Sequence, residues 1–276
     1  MLPRIVGPDF KPFWKPNLTI DEYHADKSAI SSTPLRKALI SPRAFLDYYQ
    51  GNFVGDTPSF RFGRAFGMAA AEPKLFSDTY VVEPKFSGEG SMKARKEFKA
   101  AFPESLKQDE FDDLKRMIES VSSHKDAGPL LRDGKNEISG YFADPDTGIL
   151  CRFRPDCFHP GHMAVLDVKT TTCIEEREFI NSALRFGYHV QLAFYCDGVE
   201  AITGKKVKYP FLLAVEKSAP FDCAVYRLND DFIELGRITY KKALKVIKEG
   251  MDTGKWSRYQ DRFQEVAPPA WLTKGN

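Results

Sequence analysis

The distribution of apolar residues, capping residues and prolines divides the chain into a helical first part and a middle with strand character. Three helices are predicted in the first part, over residues 31–38, 42–49 and 60–72. The first two begin where a hydroxyl-bearing residue precedes proline, and proline is tolerated in a first helical turn. Residues 91–125 are charged and helical with an interruption at Pro103, and we expect them to be a solvent-facing insertion.

The middle of the chain has the alternation of β-strands. Residues 136–143 and 149–154 flank the turn sequence DPDTG, which predicts a hairpin. Met163–Lys169 is a compact apolar run with polar residues at its end, as expected for a central strand. The remaining predicted elements are helices over 174–186, 189–203 and 230–250, and strands over 78–83, 208–215 and 222–228. Together these elements predict a mixed α/β sheet flanked by helices.

Composition excludes several classes of protein. Of the 276 residues 42% are hydrophobic and 28% charged, which excludes wholesale disorder and fibrous repeats. The N-terminal residues contain no apolar segment of the kind a signal peptide needs, so secretion is not expected. Five cysteines without a CxxC pair predict free thiols in a reducing compartment rather than a zinc knuckle. The net charge of +2 does not by itself indicate a polyanionic partner, so a nucleic-acid-binding protein would have to concentrate positive charge on one face.

The candidate chemistry lies in two short motifs, Arg154-Pro155-Asp156 and Asp167-Val168-Lys169. Asp167 and Lys169 are separated by one residue, so on a strand both side chains project from the same face. With Asp156 nearby, two carboxylates and an ammonium would surround one point. Two hard oxygen ligands are what Mg²⁺ takes from a protein when water and substrate phosphate supply the rest, and the Val168 carbonyl is a possible third ligand. Lys169 would then orient or deprotonate a water for attack on a phosphodiester.

A less specific interpretation stays open for each motif. A D-x-K triplet often occurs by chance, and charges at strand ends are usually solvated. Asp156 strengthens the functional interpretation, because charges beside an apolar run cost stability unless something binds there. Gln191 and Tyr195 are four residues apart on a predicted helix and therefore share one face, although a core helix with a polar rim fits equally.

The order of the motifs RPD, LDVKTT and QLAFY resembles that of the PD-(D/E)xK nuclease superfamily, in its RecB-like branch. It is more closely similar to the RecE-type exonucleases of phages and prophages, the exodeoxyribonuclease VIII family. The resemblance covers nearly the whole chain. Segments outside the motifs that share it are Tyr23–Asp26, Ile30–Ser32, Ser41-Pro42, Phe62–Ala65, Glu72-Pro73, Trp256 and Pro268–Trp271.

The resemblance implies a restriction-endonuclease-like mixed β-sheet core flanked by helices, in one domain over residues 1–276. Residues 1–75 would form an N-terminal arm and helices, and residues 76–276 the nuclease core. It also implies degradation of double-stranded DNA from its ends, 5′→3′ and dependent on Mg²⁺ or Mn²⁺, in phage-type homologous recombination. The protein would act in the cytoplasm of a bacterial host, as a homo-oligomeric ring, with a RecT-like single-strand annealing protein as partner.

The same resemblance implies a role for each motif residue. Asp156 and Asp167 would bind the metal, Lys169 would be the catalytic lysine, and Gln191 with Tyr195 would support the active site and the DNA end. Candidate DNA contacts are Arg152, Arg154, Thr170 and Thr171. Glu137 stands where relatives often carry an acid, although a solvated charge at a strand end is an equal explanation.

One position departs from the family pattern. Relatives carry a metal-binding histidine in the helix predicted over residues 60–72, four residues after the first glycine, and that position is Gly67 here. Water or another residue would have to replace it, with His24 and His189 as the candidates. A catalytically weakened or inactive DNA-binding accessory protein is therefore the alternative function. A Cas4-like nuclease is a further alternative, against which the absence of a cysteine cluster argues.

Overall fold

The computed structural model of the chain describes residues 2–51, 57–260 and 262–268. Its helices are α1 (Ile20–Ala25), α2 (Ser32–Ile40), α3 (Pro42–Tyr49), α4 (Pro58–Ala71), α5 (Pro73–Thr79), α6 (Ser91–Ala101), α7 (Gln108–Ser123), α8 (Ala127–Arg132), α9 (Glu176–Phe186), α10 (Tyr188–Thr203) and α11 (Asp230–Thr253). Its strands are β1 (Phe13–Lys15), β2 (Val81–Val82), β3 (Ser105–Leu106), β4 (Lys135–Asn136), β5 (Ser139–Ala143), β6 (Leu150–Phe153), β7 (Cys157–His159), β8 (Ala164–Thr171), β9 (Tyr209–Glu216) and β10 (Cys223–Arg227).

A five-stranded sheet organises the fold, with strand order β10-β9-β8-β7-β4. β8 is the central strand, as the apolar run at its start predicts. It pairs in parallel with β9 along its whole length and antiparallel with β7 over three residues. The parallel pair needs a crossover, which α9 and α10 supply. This mixed sheet with helices on both faces confirms the predicted α/β fold class.

A second sheet, in the order β1-β5-β6, contains the predicted hairpin. β5 and β6 pair antiparallel from Gly140↔Phe153 to Ala143↔Leu150. The N-terminal segment lies on this sheet, because β1 pairs with β5 and Trp14 packs on Phe153 of β6 with ring centroids 5.3 Å apart.

The prediction of one continuous strand over residues 136–143 was wrong. Residues 135–136 form β4, which pairs with β7 in the five-stranded sheet, and β5 of the other sheet begins only at Ser139. Glu137 separates them with a φ of 51°, a left-handed conformation that ends the extended backbone. Alternation alone does not reveal such a change of sheet, since the residues on both sides of it remain extended.

Two apolar cores cover the two faces of the five-stranded sheet. Successive residues of a strand point to opposite faces, so Val165 enters one core and Leu166 the other. The Val165 core contains apolar side chains of α2, α3, α9, α10 and α11. The Leu166 core contains those of α4, α5, α7 and α8. By the same alternation Asp167 and Lys169 share the Val165 face, which is the face that α10 covers.

The expectation of a solvent-facing insertion over residues 91–125 was wrong for its second half. α6 buries none of its side chains. α7 instead buries Leu114, Met117 and Val121 in the Leu166 core. These residues are spaced three and four apart and form one apolar stripe, which the many charges on the other faces of α7 obscure in the sequence.

The five cysteines are all free thiols, of which three are buried. No helix among the described residues is both long and apolar enough to cross a membrane.

Candidate active site

Asp167 and Lys169 lie together on β8, beneath α10. The Asp167 residue is 2% exposed, and its Oδ2 lies 2.5 Å from Nζ of Lys169. Burial alone would lower the pKa of Lys169, but the charges of Asp167 and Asp156 outweigh it and raise that pKa. The strand therefore holds a carboxylate and an ammonium in direct contact within the interior.

Asp156 approaches β8 from the turn between β6 and β7. β7 pairs with β8 only as far as Cys157↔Leu166, so the edge of β8 beyond Leu166 is open on that side. Asp156 occupies this edge, where its Oδ2 accepts a hydrogen bond of 2.5 Å from the backbone N–H of Val168. Because the N–H and C=O of a strand residue point toward the same neighbour, the Val168 carbonyl faces the Asp156 side as well.

The electrostatics around Asp156 favour a bound cation. Burial, together with the charges of Asp167 and Glu137, raises the pKa of the Asp156 carboxyl well above its usual range. Oδ2 of Asp167 is buried, and the ammonium of Lys169 lies against it. Two carboxylates held this close inside a protein repel each other unless a positive charge lies between them.

The residues present fit a hard divalent cation. Asp156, Asp167 and the carbonyl of Val168 offer three oxygen ligands, and Mg²⁺ typically uses one or two carboxylates and completes its shell with water and substrate phosphate. No group of three or more His, Cys, Asp or Glu side chains converges on a metal site within the described part of the chain. A cation held by Asp156, Asp167 and the Val168 carbonyl would take its remaining ligands from water and substrate.

Gln191 and Tyr195 extend this site from α10. Lys169 donates a hydrogen bond of 3.0 Å to Oε1 of Gln191, and Nε2 of Gln191 donates one of 2.6 Å to the Tyr195 hydroxyl. Burial and the charge of Asp167 raise the pKa of Tyr195 well above its usual range, so its hydroxyl stays neutral. The structure thus brings together all five side chains that the sequence singles out as catalytic.

Arg154 and Glu137 form a buried pair beside the site. Nε of Arg154 lies 2.5 Å from Oε2 of Glu137, and Nη1 donates to the carbonyl of Leu18 at 2.6 Å. The backbone N–H of Glu137 donates to the carbonyl of Asp156 at 3.2 Å. The pair therefore supports the loop that carries Asp156, and the Arg154 guanidinium is already satisfied by the protein.

The other predicted DNA contacts differ in their surroundings. Thr171 uses its hydroxyl within a turn, accepting from the N–H of Cys173 and donating to its carbonyl. The Thr170 hydroxyl faces α4, since a Cβ on Gly63 would lie 3.5 Å from its Oγ1. Arg152 is buried against Tyr23, with Cζ 4.7 Å from the ring centroid.

The two histidines considered as replacements for a metal ligand have other surroundings. His189 is buried on α10, where its Nδ1 lies 3.3 Å from the carbonyl of Ala183 and its ring meets the edge of Phe232. His24 is exposed on α1. The described contacts place neither imidazole against Asp156 or Asp167. Gly67 lies within α4, and a Cβ built there would meet nothing within 4 Å, so a side chain has room.

Two tyrosines beside the site were missed in the sequence. Tyr188 packs on Lys169, whose Nζ lies 4.9 Å from the ring centroid. Helical spacing could have indicated Tyr188 as a site residue, because residues 188, 191 and 195 share one helical face. Tyr23 faces Arg152 and Arg154 from α1, and no pattern in the sequence joins those distant segments.

Comparison with known proteins identifies the family. Residues 31–265 match the family described as PDDEXK-like domain of unknown function (DUF3799), so the chain belongs to this family. No curated protein matches it. The chain resembles the crystal structure of a candidate exonuclease from Eubacterium rectale, with 15% identity, a TM-score of 0.64 and coverage of 95% of this chain and 100% of that one. At this identity the likeness shows the fold alone.

A second structural match is weaker. It is a phage-related exonuclease from Haemophilus somnus 129PT, with 11% identity, a TM-score of 0.34 and coverage of 82% of this chain and 96% of that one. A TM-score this low supports no inference about the present chain. The segment Pro268–Trp271, which shares the family resemblance in the sequence, falls largely outside the described residues, since only its first proline lies within them.

Proposed function

We propose that this protein is a metal-dependent exodeoxyribonuclease that degrades double-stranded DNA from its ends. The observation that carries the proposal is the arrangement around Val168, whose N–H binds Asp156 and whose neighbours in sequence are Asp167 and Lys169. Membership in a PDDEXK-like family supports it, because that arrangement of two acids and a lysine is the motif for which the family is named.

In this proposal Asp156, Asp167 and the Val168 carbonyl hold a divalent cation. When bound there, Mg²⁺ or Mn²⁺ supplies Lewis-acid polarisation of a phosphate and stabilises negative charge on oxygen. Lys169, kept in place by Asp167 and Gln191, orients the water that attacks the phosphorus. Tyr195 fixes the amide of Gln191 and so acts as a positioning residue.

The finer features of the proposal rest on the resemblance to RecE-type exonucleases. They are 5′→3′ polarity, a role in phage-type recombination in the cytoplasm of a bacterial host, a homo-oligomeric ring and a RecT-like annealing partner. The ring would enclose DNA, and its interface would be heterologous and closed. All residues from 1 to 276 would belong to one nuclease domain.

The experiment compares linear and covalently closed circular duplex DNA, incubated with purified protein and Mg²⁺ or Mn²⁺. Wild type should degrade the linear form only, and EDTA should stop it. Asp167→Asn should abolish degradation, whereas Asp252→Asn, an exposed aspartate on α11, should behave as wild type. Cleavage of the circle at an equal rate would contradict an end-dependent enzyme.

The second candidate function is a DNA-binding recombination accessory protein without full activity. Gly67 favours it, since α4 offers no metal-binding side chain at the position where relatives carry histidine. This alternative would be supported over the nuclease if wild type binds duplex ends but does not cut the DNA at any Mg²⁺ or Mn²⁺ concentration.

A further inference from the structure

The chain that follows α11 holds large apolar side chains in water. Residues 258–260 and 262–268, which we call the C-terminal tail, contain no helix and no strand, and every one of them is exposed. Three large apolar side chains of the tail are 70%, 94% and 88% exposed, namely Tyr259, Phe263 and Val266. Single exposed apolar residues are ordinary, but several of them in one short segment mark a surface that another element covers.

The spacing of these side chains is that of one helical face. Tyr259, Phe263 and Val266 are four and three residues apart. In a helix, residues at these separations lie above one another on the same side. Arg258 and Arg262 would then form a basic row directly beside the apolar one. The tail therefore has the sequence of an amphipathic helix, of the kind that folds when its apolar stripe meets a partner.

A second group of exposed apolar side chains lies where the end of α9 meets the start of α11. His189 joins the two helices, because its ring meets the edge of Phe232 on α11 and its Nδ1 lies 3.3 Å from the carbonyl of Ala183 on α9. The surface beside this junction is called the α9–α11 face. Its four large apolar residues are between 44% and 60% exposed, namely Leu184, Phe186, Leu235 and Ile238.

The charges of the α9–α11 face are opposite to those of the tail. Asp231 and Glu234 are exposed, and helical spacing puts both on the side of α11 that carries its two exposed apolar residues. Glu234 also pairs with Arg237 of its own helix. The tail carries Arg258 and Arg262 in the equivalent place beside its own apolar stripe. The two surfaces are therefore complementary in charge as well as apolar.

The tail is anchored at the opposite end of α11. Trp256 stacks on Phe45 of α3 with ring centroids 5.6 Å apart. The carbonyl of Ser257 accepts a hydrogen bond of 3.0 Å from the N–H of Arg43. A Cβ built on Gly250 would lie 2.6 Å from the Trp256 ring, which places this anchor beside the last turns of α11.

A helical tail is too short to reach the α9–α11 face of its own chain. Ile238 precedes Gly250 by twelve residues of α11, which is roughly 18 Å of helix. Tyr259 follows the anchored Ser257 by two residues and so lies at most about 7 Å from it. Phe263 lies about 6 Å further along a helix. Only the tail of another copy can therefore cover the face in helical form.

We propose that the C-terminal tail folds as an amphipathic helix on the α9–α11 face of a second copy of this chain. Tyr259 and Phe263 are buried against Leu235 and Ile238, and the two arginines of the tail face the two acids of α11. Each copy offers one tail and one face, so the contacts close by exchange of tails between two copies or around a ring. This docking is independent of the nuclease chemistry and supplies the interface that the proposed ring needs.

Sedimentation velocity of the full chain without DNA, over a wide range of concentration, measures the association. Wild type should sediment as an oligomer of the 31.3 kDa chain. Phe263→Ser should raise the dissociation constant about tenfold or more, because it removes one large buried side chain. Met92→Ser is the matched control, at an apolar residue that is 86% exposed on α6, and should associate as wild type does. Wild type that stays monomeric, or Phe263→Ser that associates equally well, overturns the proposal.

Ile238→Asp tests the face rather than the tail. The side chain is 60% exposed, so the melting temperature of the monomer should stay at the wild-type value while association is lost. Leu235→Asp replaces this variant if it does not fold. Wild-type association in the face variant would mean that tails pair with one another, which also overturns the proposal.

Mixing the two variants tests docking between copies directly. Phe263→Ser keeps an intact face and Ile238→Asp keeps an intact tail. An equimolar mixture should therefore form a complex of two chains, although neither variant associates alone. No complex at about ten times the concentration that associates wild type would overturn the proposal, since one intact contact remains available. Wild type that associates through these surfaces but cuts no DNA would keep the docking and remove the nuclease, and a monomeric nuclease would do the reverse.

Discussion

Oε1 of Gln191 accepts a hydrogen bond from Nζ of Lys169 at 3.0 Å, so α10 holds the lysine of β8 by its charged end. A lysine side chain has four rotatable bonds and loses about 2 kcal/mol of conformational entropy when it is fixed. Gln191 can fix it because its own amide is oriented by Tyr195. The pair Gln191–Tyr195 therefore acts on the chemistry through Lys169.

Replacing Gln191 with leucine should slow cleavage of linear duplex about tenfold. That factor corresponds to roughly 1.4 kcal/mol, which is near the low end for a hydrogen bond to a charged group. Initial rates at saturating Mg²⁺ measure it. Gln108→Leu, at an exposed glutamine that begins α7, is the control and should cut at the wild-type rate. Equal rates for both variants would remove Gln191 from the mechanism.

Lys169→Ala should reduce cleavage by about 10²-fold or more, because a positioned group that activates or orients water contributes that much. Metal binding should persist, since the proposed ligands are Asp156, Asp167 and the Val168 carbonyl. Calorimetric titration with Mn²⁺ and the cleavage rate are measured on the same preparation. Lys93→Ala, at a lysine whose side chain is 84% exposed on α6, should change neither. A Lys169→Ala enzyme with the wild-type rate would contradict the assigned role.

Much of the fold follows from local signals in the sequence. Helices α2 and α3 begin close to the predicted Thr33-Pro34 and Ser41-Pro42 positions, because proline in a first turn and, for α3, a capping hydroxyl act locally. Ser41, for example, accepts a hydrogen bond of 3.0 Å from the N–H of Ala44. The central position of β8 follows from its apolar first half, which a strand buried on both faces requires.

What the sequence did not reveal depends on contacts between distant segments. The three-residue strand β7 separates the hairpin from β8, so Asp156 lies between β6 and β7 rather than at the end of a hairpin strand. Its proximity to Val168 arises because β7 is too short to pair with the rest of β8. The difference between Arg152 and Arg154 is likewise invisible in the motif, since it depends on Glu137, Leu18 and Tyr23.

The buried imidazole of His189 should make stability depend on pH. Burial lowers its pKa in the folded state below the usual value, so the unfolded chain binds the proton more readily. The stabilising contribution is complete above pH ~6.5, the unfolded value, and is lost as the pH falls through the lower folded value. The melting temperature of wild type should therefore drop between about pH 7 and pH 5 more than that of His189→Gln.

His24 provides the comparison for that experiment, because its pKa is lowered as well, by partial desolvation of the ring of an otherwise exposed residue and by the neighbouring cations. His24→Gln should retain the part of the pH dependence that comes from His189. A His189→Gln variant with the same dependence as wild type would contradict the assignment.

Gly67 offers a direct test of the metal site. The position lies within α4, and an added side chain would meet nothing within 4 Å of its Cβ. A glycine within a helix costs about 1 kcal/mol relative to alanine, so Gly67→Ala should stabilise the fold by roughly that amount. It should leave metal affinity unchanged, because a methyl group offers no ligand.

Gly67→His should gain the same helical stability and in addition bind Mn²⁺ more tightly than wild type, since an imidazole would replace a water in the metal's shell. Calorimetric titration of wild type, Gly67→Ala and Gly67→His with Mn²⁺ measures this without requiring activity. If all three bind the metal equally, α4 does not face the site. Wild type could instead be inert at every metal concentration while Gly67→His cuts linear duplex. The natural protein would then be the DNA-binding accessory protein, and glycine at this position would be the reason for its lack of activity.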